Sequence, residues 1–141
     1  MSAPGAAVGL SEPAWRRTLG AISALTGAAA VAGSIQLVTG TFTPPVSDLR
    51  PLGLESWVLP GLWLAGSVAV PCVGTAVLAW RRSPWMGPAA VGSGVLLGVE
   101  LAVQVPFVGL DPLQGVMGIV AVSLVALGWS SARRSGTKDR P

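Results

Sequence analysis

The chain has 141 residues and a formal net charge of +3; 51% of its residues are apolar, 11% are charged, and the mean hydropathy is +0.66. Soluble domains carry about a quarter charged residues, so this composition excludes an ordinary water-soluble globule and indicates a membrane protein. The absence of His and the single Cys, Cys72, exclude a His-ligated haem, a zinc site of several His and Cys ligands, and a dithiol redox centre within one chain. We therefore expect no cofactor and no metal, and we expect Cys72 to pack as a small apolar residue.

Four predominantly apolar segments are each long enough to cross a bilayer, whose hydrocarbon core needs about 20 residues of helix. They run from about Thr18 to Val38, Trp57 to Trp80, Pro84 to Phe107 and Leu113 to Ser130. Glu100 is the only ionisable residue within them. The sequence therefore predicts an all-α polytopic membrane protein, a four-transmembrane-helix up-down bundle over residues 18–130, with a mobile N-terminus (1–17) and a basic tail (131–141).

Positive charge lies almost entirely on one side of the predicted helices. Eight of the nine basic residues precede the first helix, link the second to the third, or follow the fourth; Arg50 is the ninth. The eight are Arg16, Arg17, Arg81, Arg82, Arg133, Arg134, Lys138 and Arg140. Four of the six Trp residues lie beside these arginines, at the headgroup level that tryptophan prefers. Because short loops rich in Lys and Arg stay inside the cell, we predict a cytoplasmic-membrane protein with both termini cytoplasmic.

The first segment has a second interpretation. Arg16 and Arg17 precede an apolar run that reaches small residues at positions 30–32, as in a cleavable or twin-arginine signal peptide. The apolar run continues to Val38, however, and this length favours a retained spanning helix over a short signal core.

Proline and loop length predict the connections. The outer loop from Thr39 to Ser56 contains three prolines, so we expect it to be extended or turned. The link around Val108 to Pro112 is very short, which makes the third and fourth helices antiparallel neighbours. Pro71 lies in the middle of the second helix and should kink it, whereas Pro106 should end the third.

The third predicted helix has two contrasting faces. Small residues recur at every fourth position and predict a ridge on which another helix packs closely. The ridge comprises Ala90, Gly94, Gly98 and Ala102. A polar stripe of Ser93, Glu100 and Gln104 spans about 40° of arc and lies roughly opposite the ridge. Because one face favours close contact and the other favours polar neighbours, we expect this helix to be largely enclosed by protein.

Glu100 is the most informative residue, because a buried carboxylate costs several kcal/mol unless it is protonated, paired or hydrated. It lies about 10 Å below the predicted outer boundary, at 1.5 Å per residue. Other polar or aromatic groups are predicted at similar depth or just above it. The candidate polar pocket comprises Glu100, Gln104, Ser93, Gln36, Gln114, Trp63 and Arg50.

This cluster allows two interpretations. In the first, it lines an outward-facing pocket in which Glu100 binds a cation or proton, or pairs with Arg50. In the second, it is a structural knot in which a protonated Glu100 bonds to Gln104, Gln36 or backbone carbonyls. Glu100→Gln should preserve the knot and abolish cation or proton coupling.

The chain resembles a group of small four-helix bacterial integral membrane proteins that have no established activity. The resemblance rests on Pro60, Gly61 and Leu62 early in the second helix, followed by an Arg-rich inner turn. It continues with Glu100, Gln104, Pro106, Phe107 and Gly109 at the end of the third helix and with Leu113 and Gln114 opening the fourth. It covers roughly residues 20–130 and implies fold and topology, and no substrate. Heavy use of Arg, Ala, Gly and Val, typical of high-GC coding, also indicates a bacterial source.

Two functional classes remain open. Short loops and few polar groups favour an accessory or assembly subunit beside a larger membrane partner. The alternative is an oligomeric transporter of a small solute, proton or cation that uses Glu100, with the small-residue ridge as a homo-oligomer face. No catalytic constellation is visible, so we do not expect an enzyme. Nucleic-acid binding is not expected either, because the basic residues are explained by orientation in the lipid bilayer.

Overall fold

A computed structural model describes residues 11–137. The N-terminal residues 1–10 and the tail residues Lys138 and Arg140, for which mobility and a basic character were predicted, lie outside the described part. The described chain forms four long helices and one short 3₁₀ helix. The long helices are the first (Glu12–Thr39), second (Val58–Trp80), third (Met86–Val108) and fourth (Pro112–Thr137). Each is long and apolar enough to span a membrane, which confirms the predicted all-α four-helix fold.

Two helices are longer than the apolar segments that predicted them. The first begins at Glu12 instead of Thr18, and the fourth continues to Thr137 instead of ending at Ser130. Both extensions contain arginine, which lowers the hydropathy of a segment but favours helix formation. The apolar segments predicted from hydropathy therefore stop short of the helix ends. The first helix ends where Gly40 adopts a left-handed conformation (φ 70°), a common helix terminator. The third helix runs two residues past Pro106, to Val108.

The second helix is interrupted by a π turn. Regular α-helix over Val58–Leu64 gives way to a π turn at Ala65–Ala69, and α-helix resumes over Val70–Trp80. Pro71 explains the position of this turn, because proline has no N–H to donate and its ring collides with the carbonyl four residues earlier, at Ser67. The irregularity predicted from Pro71 therefore takes the form of one wider turn that precedes the proline.

The loop between the first and second helices contains a 3₁₀ helix, Val46–Leu52, where an extended or turned connector was predicted. Pro51 lies within it, and tight 3₁₀ turns tolerate such short proline-containing stretches. Leu49 is only 2% exposed and anchors the segment to the bundle. The indole N–H of Trp57 donates to the Pro44 carbonyl at 2.9 Å and secures the other end of the loop.

The third and fourth helices pack backbone to backbone. A Cβ added at Gly94 would lie 2.7 Å from the Ala121 carbonyl oxygen, and one added at Gly128 would lie 2.7 Å from the Gly87 carbonyl oxygen. No side chain larger than hydrogen fits at either position without moving the helices apart. The predicted ridge therefore contributes Ala90 and Gly94 to this contact.

The other half of the ridge is not in the contact. Nothing lies within 4 Å of a Cβ built at Gly98, and Ala102 is exposed. Successive positions four residues apart drift by about 40° around an α-helix, so the row leaves the interface. The buried row follows three- and four-residue steps instead, through Gly87, Ala90, Gly94 and Leu97.

The third helix also has an outward face, so this one chain does not enclose it as the sequence led us to expect. Val95, Val99 and Val103 are each about half exposed and apolar, as befits contact with lipid tails. The polar stripe faces the second helix, with which it forms the hydrogen bonds described below.

Six arginines gather at one end of the bundle, which we call the basic end: Arg16, Arg17, Arg81, Arg82, Arg133 and Arg134. There the Arg134 guanidinium lies 5.1 Å from the Trp15 ring centre, and that of Arg133 lies 5.4 Å from the Trp129 ring centre. The cation–π contact of Arg134 with Trp15 connects the end of the fourth helix to the start of the first, whereas that of Arg133 with Trp129 lies within the fourth helix. We call the opposite end, which carries the 3₁₀ helix, the loop end.

Candidate functional site

Glu100 lies on the third helix toward the loop end and is only 8% exposed. Its Oε2 accepts hydrogen bonds from the Trp63 indole N–H at 2.6 Å and from the Ser67 hydroxyl at 3.3 Å. Its Oε1 accepts from the Gln104 amide at 3.1 Å. Two donors from the second helix and one from its own helix thus hold the carboxyl group.

The Ser67 hydroxyl gives this site two self-consistent hydrogen-bond patterns. Its oxygen also lies 2.8 Å from the Trp63 carbonyl oxygen, to which it donates along its own helix. A hydroxyl has one hydrogen and two acceptor lone pairs. When Ser67 donates to the ionised Glu100, the carboxylate gains its third donor. When Ser67 donates to the Trp63 carbonyl, its lone pairs face Oε2, and a protonated Glu100 can donate to them. Both protonation states of Glu100 therefore find partners.

The π turn aligns the polar groups of the second helix with the third. Ser67 and Thr75 are eight residues apart, which in a regular α-helix would place them about 80° apart around the axis. The wider turn at Ala65–Ala69 takes up one extra residue, so both side chains face the third helix. Ser67 meets Glu100 there, and Thr75 shares a 2.9 Å hydrogen bond with Ser93.

Ser93 therefore belongs to a separate contact and not to the site around Glu100. It lies seven residues earlier on the third helix, about 10 Å along the axis. Each hydroxyl also lies 2.9 Å from a carbonyl oxygen of its own helix, Ser93 from that of Ala89 and Thr75 from that of Pro71. Because each hydroxyl has one hydrogen, one of the two donates to its partner while the other donates to its own helix. Both residues are almost completely buried. The predicted polar stripe thus divides into two contacts with the second helix.

Three other members of the predicted pocket lie elsewhere. Gln36 is exposed on the first helix, and the side chain of Arg50 is exposed on the 3₁₀ helix. The side-chain amide oxygen of Gln114, Oε1, accepts a long hydrogen bond of 3.5 Å from the Asp111 backbone N–H at the start of the fourth helix. The partners of Glu100 are Trp63, Ser67 and Gln104. Of the alternative partners named from the sequence, the structure thus shows Gln104, and it does not show Arg50 or Gln36.

Ser67 is the site residue that sequence reasoning missed. It lies four residues after Trp63, one helical turn away, and that spacing could have identified it once Trp63 was placed beside Glu100. Serine is common in apolar helices, where its hydroxyl bonds to its own backbone, so it carries little signal by itself.

A cavity of about 750 Å³ lies beside Glu100 at the loop end. The second and third helices form its walls, and the 3₁₀ helix and the residues around it cover it. Its lining is mainly apolar and includes Leu49, Leu52, Trp57, Trp63, Val103 and Phe107. Its charged lining residues are Asp48 and Glu100, both acidic. The site is thus an apolar cavity with a carboxyl group at its base, in place of the polar pocket that the sequence predicted.

The cavity does not continue through the bundle. Its deepest lining residues are Leu64 and Glu100. Toward the basic end, the adjoining side chains of Val68, Cys72 and Leu97 are each at most 2% exposed and pack together. In the described residues of one chain, the cavity therefore ends at Glu100.

Among residues 11–137, no group of three or more His, Cys, Asp or Glu side chains could hold a metal ion. The four apolar spans and the carboxyl-bearing cavity define a polytopic helical membrane protein with a ligand-sized site at one end. Comparison of the chain with protein-family models, with curated proteins and with solved structures finds no match.

Proposed function

We propose that this membrane protein binds a lipophilic cation in the loop-end cavity, with Glu100 as the anionic anchor. The single observation that carries the proposal is a hydrogen-bonded carboxyl group at the base of a cavity that is otherwise apolar. Three donors orient this carboxyl, and the walls around it are mainly apolar.

Size and charge support this class of ligand. A volume of about 750 Å³ lies within the range of small-molecule sites, which combine apolar walls with a few oriented polar groups. Asp48 and Glu100 give the lining negative charge, whereas the nearby Arg50 is not part of it. The indoles of Trp57 and Trp63 add surfaces to which organic cations are attracted.

The hydrogen bonds of Glu100 suit a carboxylate that binds a cation. Trp63, Ser67 and Gln104 donate to its two oxygens and hold them at the base of the cavity. A cation in the cavity is attracted to the negative charge of this oriented carboxylate, and the attraction is stronger between apolar walls than in water.

Binding of tetraphenylphosphonium to the purified protein in detergent tests the proposal, with equilibrium dialysis as the readout. Glu100→Gln should weaken binding about tenfold or more, the effect of removing one ionic hydrogen-bonding partner in an apolar site. Glu55→Gln is the matched control, because Glu55 is exposed at the same end and does not line the cavity. Binding that is equally strong in Glu100→Gln and in the unmodified chain would overturn the proposal.

An accessory role is the second candidate, and a specific observation favours it. The cavity ends at Glu100 above the buried side chains of Val68 and Leu97, so within residues 11–137 of one chain this cavity does not continue across the membrane. Movement of a ligand across the bilayer would then require other protein, either further copies or a larger partner. Purification in mild detergent separates the two: a stable homo-oligomer alone favours transport, and reproducible recovery of a larger membrane protein favours the accessory role.

We further propose that the basic end faces the cytoplasm, since arginine-rich short loops are retained there. The loop-end cavity then opens toward the outer leaflet of the cytoplasmic membrane. Single-cysteine variants test the orientation, with Cys72→Ala as background. A membrane-impermeant maleimide should label Ser47→Cys in intact cells and should label Ser135→Cys only after lysis. The reverse pattern would place the basic end outside.

A further inference from the structure

A groove runs along the first and second helices from the basic end toward the membrane centre. Two cavities form it, of about 710 Å³ and about 440 Å³, and they share Ala24, Ala76 and Trp80. Neither cavity includes Glu100 or any other residue of the loop-end cavity.

Small side chains create the groove. The first helix lines it with Ala21, Ala24 and Ala28, on successive turns, and the second helix supplies Ala76. These alanines leave little side-chain bulk between the two helices. From Arg17 to Ala28 the groove extends 11 residues, about 16 Å at 1.5 Å per residue. One leaflet of a bilayer core about 30 Å thick has the same depth.

The basic end of the groove is positively charged. Arg16, Arg17 and Arg82 line the larger cavity and Arg81 lines the smaller one, and none of the acidic side chains that the structure describes contributes to either lining. The Trp80 ring, 90% exposed, stands at the same level. Arginines at the basic end of the groove can bind a lipid phosphate, and the apolar remainder of the groove can hold the hydrocarbon chain of the same lipid. The tryptophan lies at the headgroup level, as tryptophans commonly do.

The backbone of Arg82 gives independent support. It has φ of 54°, and it is the only residue other than glycine with positive φ in the described chain. This left-handed conformation suits glycine and is strained for arginine. A strained position occupied by a long cationic side chain, which lines the groove, indicates that this side chain has a use that glycine cannot supply.

We propose that this groove binds one anionic phospholipid from the leaflet at the basic end. Its phosphate contacts Arg16, Arg17 and Arg82, and one acyl chain lies along Ala21, Ala24 and Ala28. The site differs from the loop-end cavity in position and in charge, so a test of this proposal is independent of the function proposed above.

Native mass spectrometry of the purified protein tests the proposal, with phosphatidylglycerol and phosphatidylcholine added in equal amounts. We expect one phosphatidylglycerol to remain bound in preference to phosphatidylcholine. Arg82→Gly should weaken its retention about fivefold, the effect of one arginine on binding to an anionic lipid. Because glycine adopts the left-handed turn without strain, this variant should fold at least as well as the unmodified chain. Arg133→Gln is the charge-matched control, since Arg133 lies at the same end but does not line the groove.

A second variant tests the acyl-chain part of the groove. Ala24 is exposed and lines both cavities, so Ala24→Leu fills the groove without disturbing the core. It should reduce lipid retention, whereas Ala29→Leu, at an exposed position outside the groove, should not. Unchanged retention in both Arg82→Gly and Ala24→Leu would overturn the proposal. Full displacement of the lipid by inorganic phosphate would also overturn it, because the site would then bind a free anion.

Discussion

The third helix contacts its two neighbours by different physical means. Against the fourth helix it presents bare backbone, with Gly94 beneath the Ala121 carbonyl and the Gly87 carbonyl beneath Gly128. Against the second helix it presents hydrogen-bonding side chains, Glu100 toward the loop end and Ser93 toward the basic end. The hydrophobic effect does not drive helices together within lipid, so association depends on close packing and on hydrogen bonds between helices, the two kinds of contact seen here.

The difference indicates which contact can move. The backbone contact tolerates almost no movement of one helix relative to the other. The atoms already touch, and even a small separation loses much of the dispersion energy. A hydrogen-bonded contact between side chains can exchange partners, as Ser67 does between the Trp63 carbonyl and Glu100. The candidate site lies at the adjustable contact, and the rigid contact supports it from the other side of the same helix.

The largest expected effect comes from breaking the rigid contact. Gly94→Leu would place side-chain atoms where the Ala121 carbonyl lies, and we expect it to destabilise the bundle by about 3 kcal/mol or more. Gly98→Leu is the matched control on the same helix, because the space beside Gly98 is open. Unfolding in mixed detergent–SDS micelles measures both. Equal stability of the two variants would show that the close approach does not hold the helices together.

The next effect comes from the adjustable contact. Trp63→Phe keeps the aromatic ring and removes the N–H that donates to Glu100 at 2.6 Å, so we expect a loss of about 1.5 kcal/mol. Trp85→Phe is the control, since Trp85 is exposed at the basic end. The same unfolding measurement applies. If Trp63→Phe is as stable as Trp85→Phe, the Trp63–Glu100 hydrogen bond does not join the second and third helices.

Both contacts show what the sequence could predict. Apolar length alone requires four spanning helices, since a membrane leaves the backbone no other way to satisfy its hydrogen bonds. The pairing of Glu100 with Gln104 follows from their spacing of one helical turn. The proximity of Trp63 to Glu100 follows from similar depth on neighbouring antiparallel helices.

Rotation of each helix about its own axis could not be predicted. The first helix is apolar around most of its surface, so nothing in its sequence indicates that Gln36 is exposed instead of facing Glu100. The alignment of Ser67 with Thr75 depends on a π turn, which forms because Pro71 must be accommodated within a packed bundle. The departure of Gly98 from the ridge depends on the angle at which the third and fourth helices cross.

The smallest expected effect concerns the Thr75–Ser93 hydrogen bond, which is the part of the adjustable contact that does not involve Glu100. Thr75 and Ser93 share a hydrogen bond, but each hydroxyl can instead donate to a carbonyl of its own helix, so either single substitution leaves the remaining hydroxyl with a partner. A double-mutant cycle with Thr75→Val and Ser93→Ala should therefore give a coupling energy of only about 0.6 kcal/mol. Ser130→Ala replaces Ser93→Ala in the control cycle, because Ser130 bonds to Ala126 on its own helix, and its coupling with Thr75 should be near zero. A Thr75–Ser93 coupling as small as that of the control would mean that the Thr75–Ser93 hydrogen bond does not help to join the second and third helices.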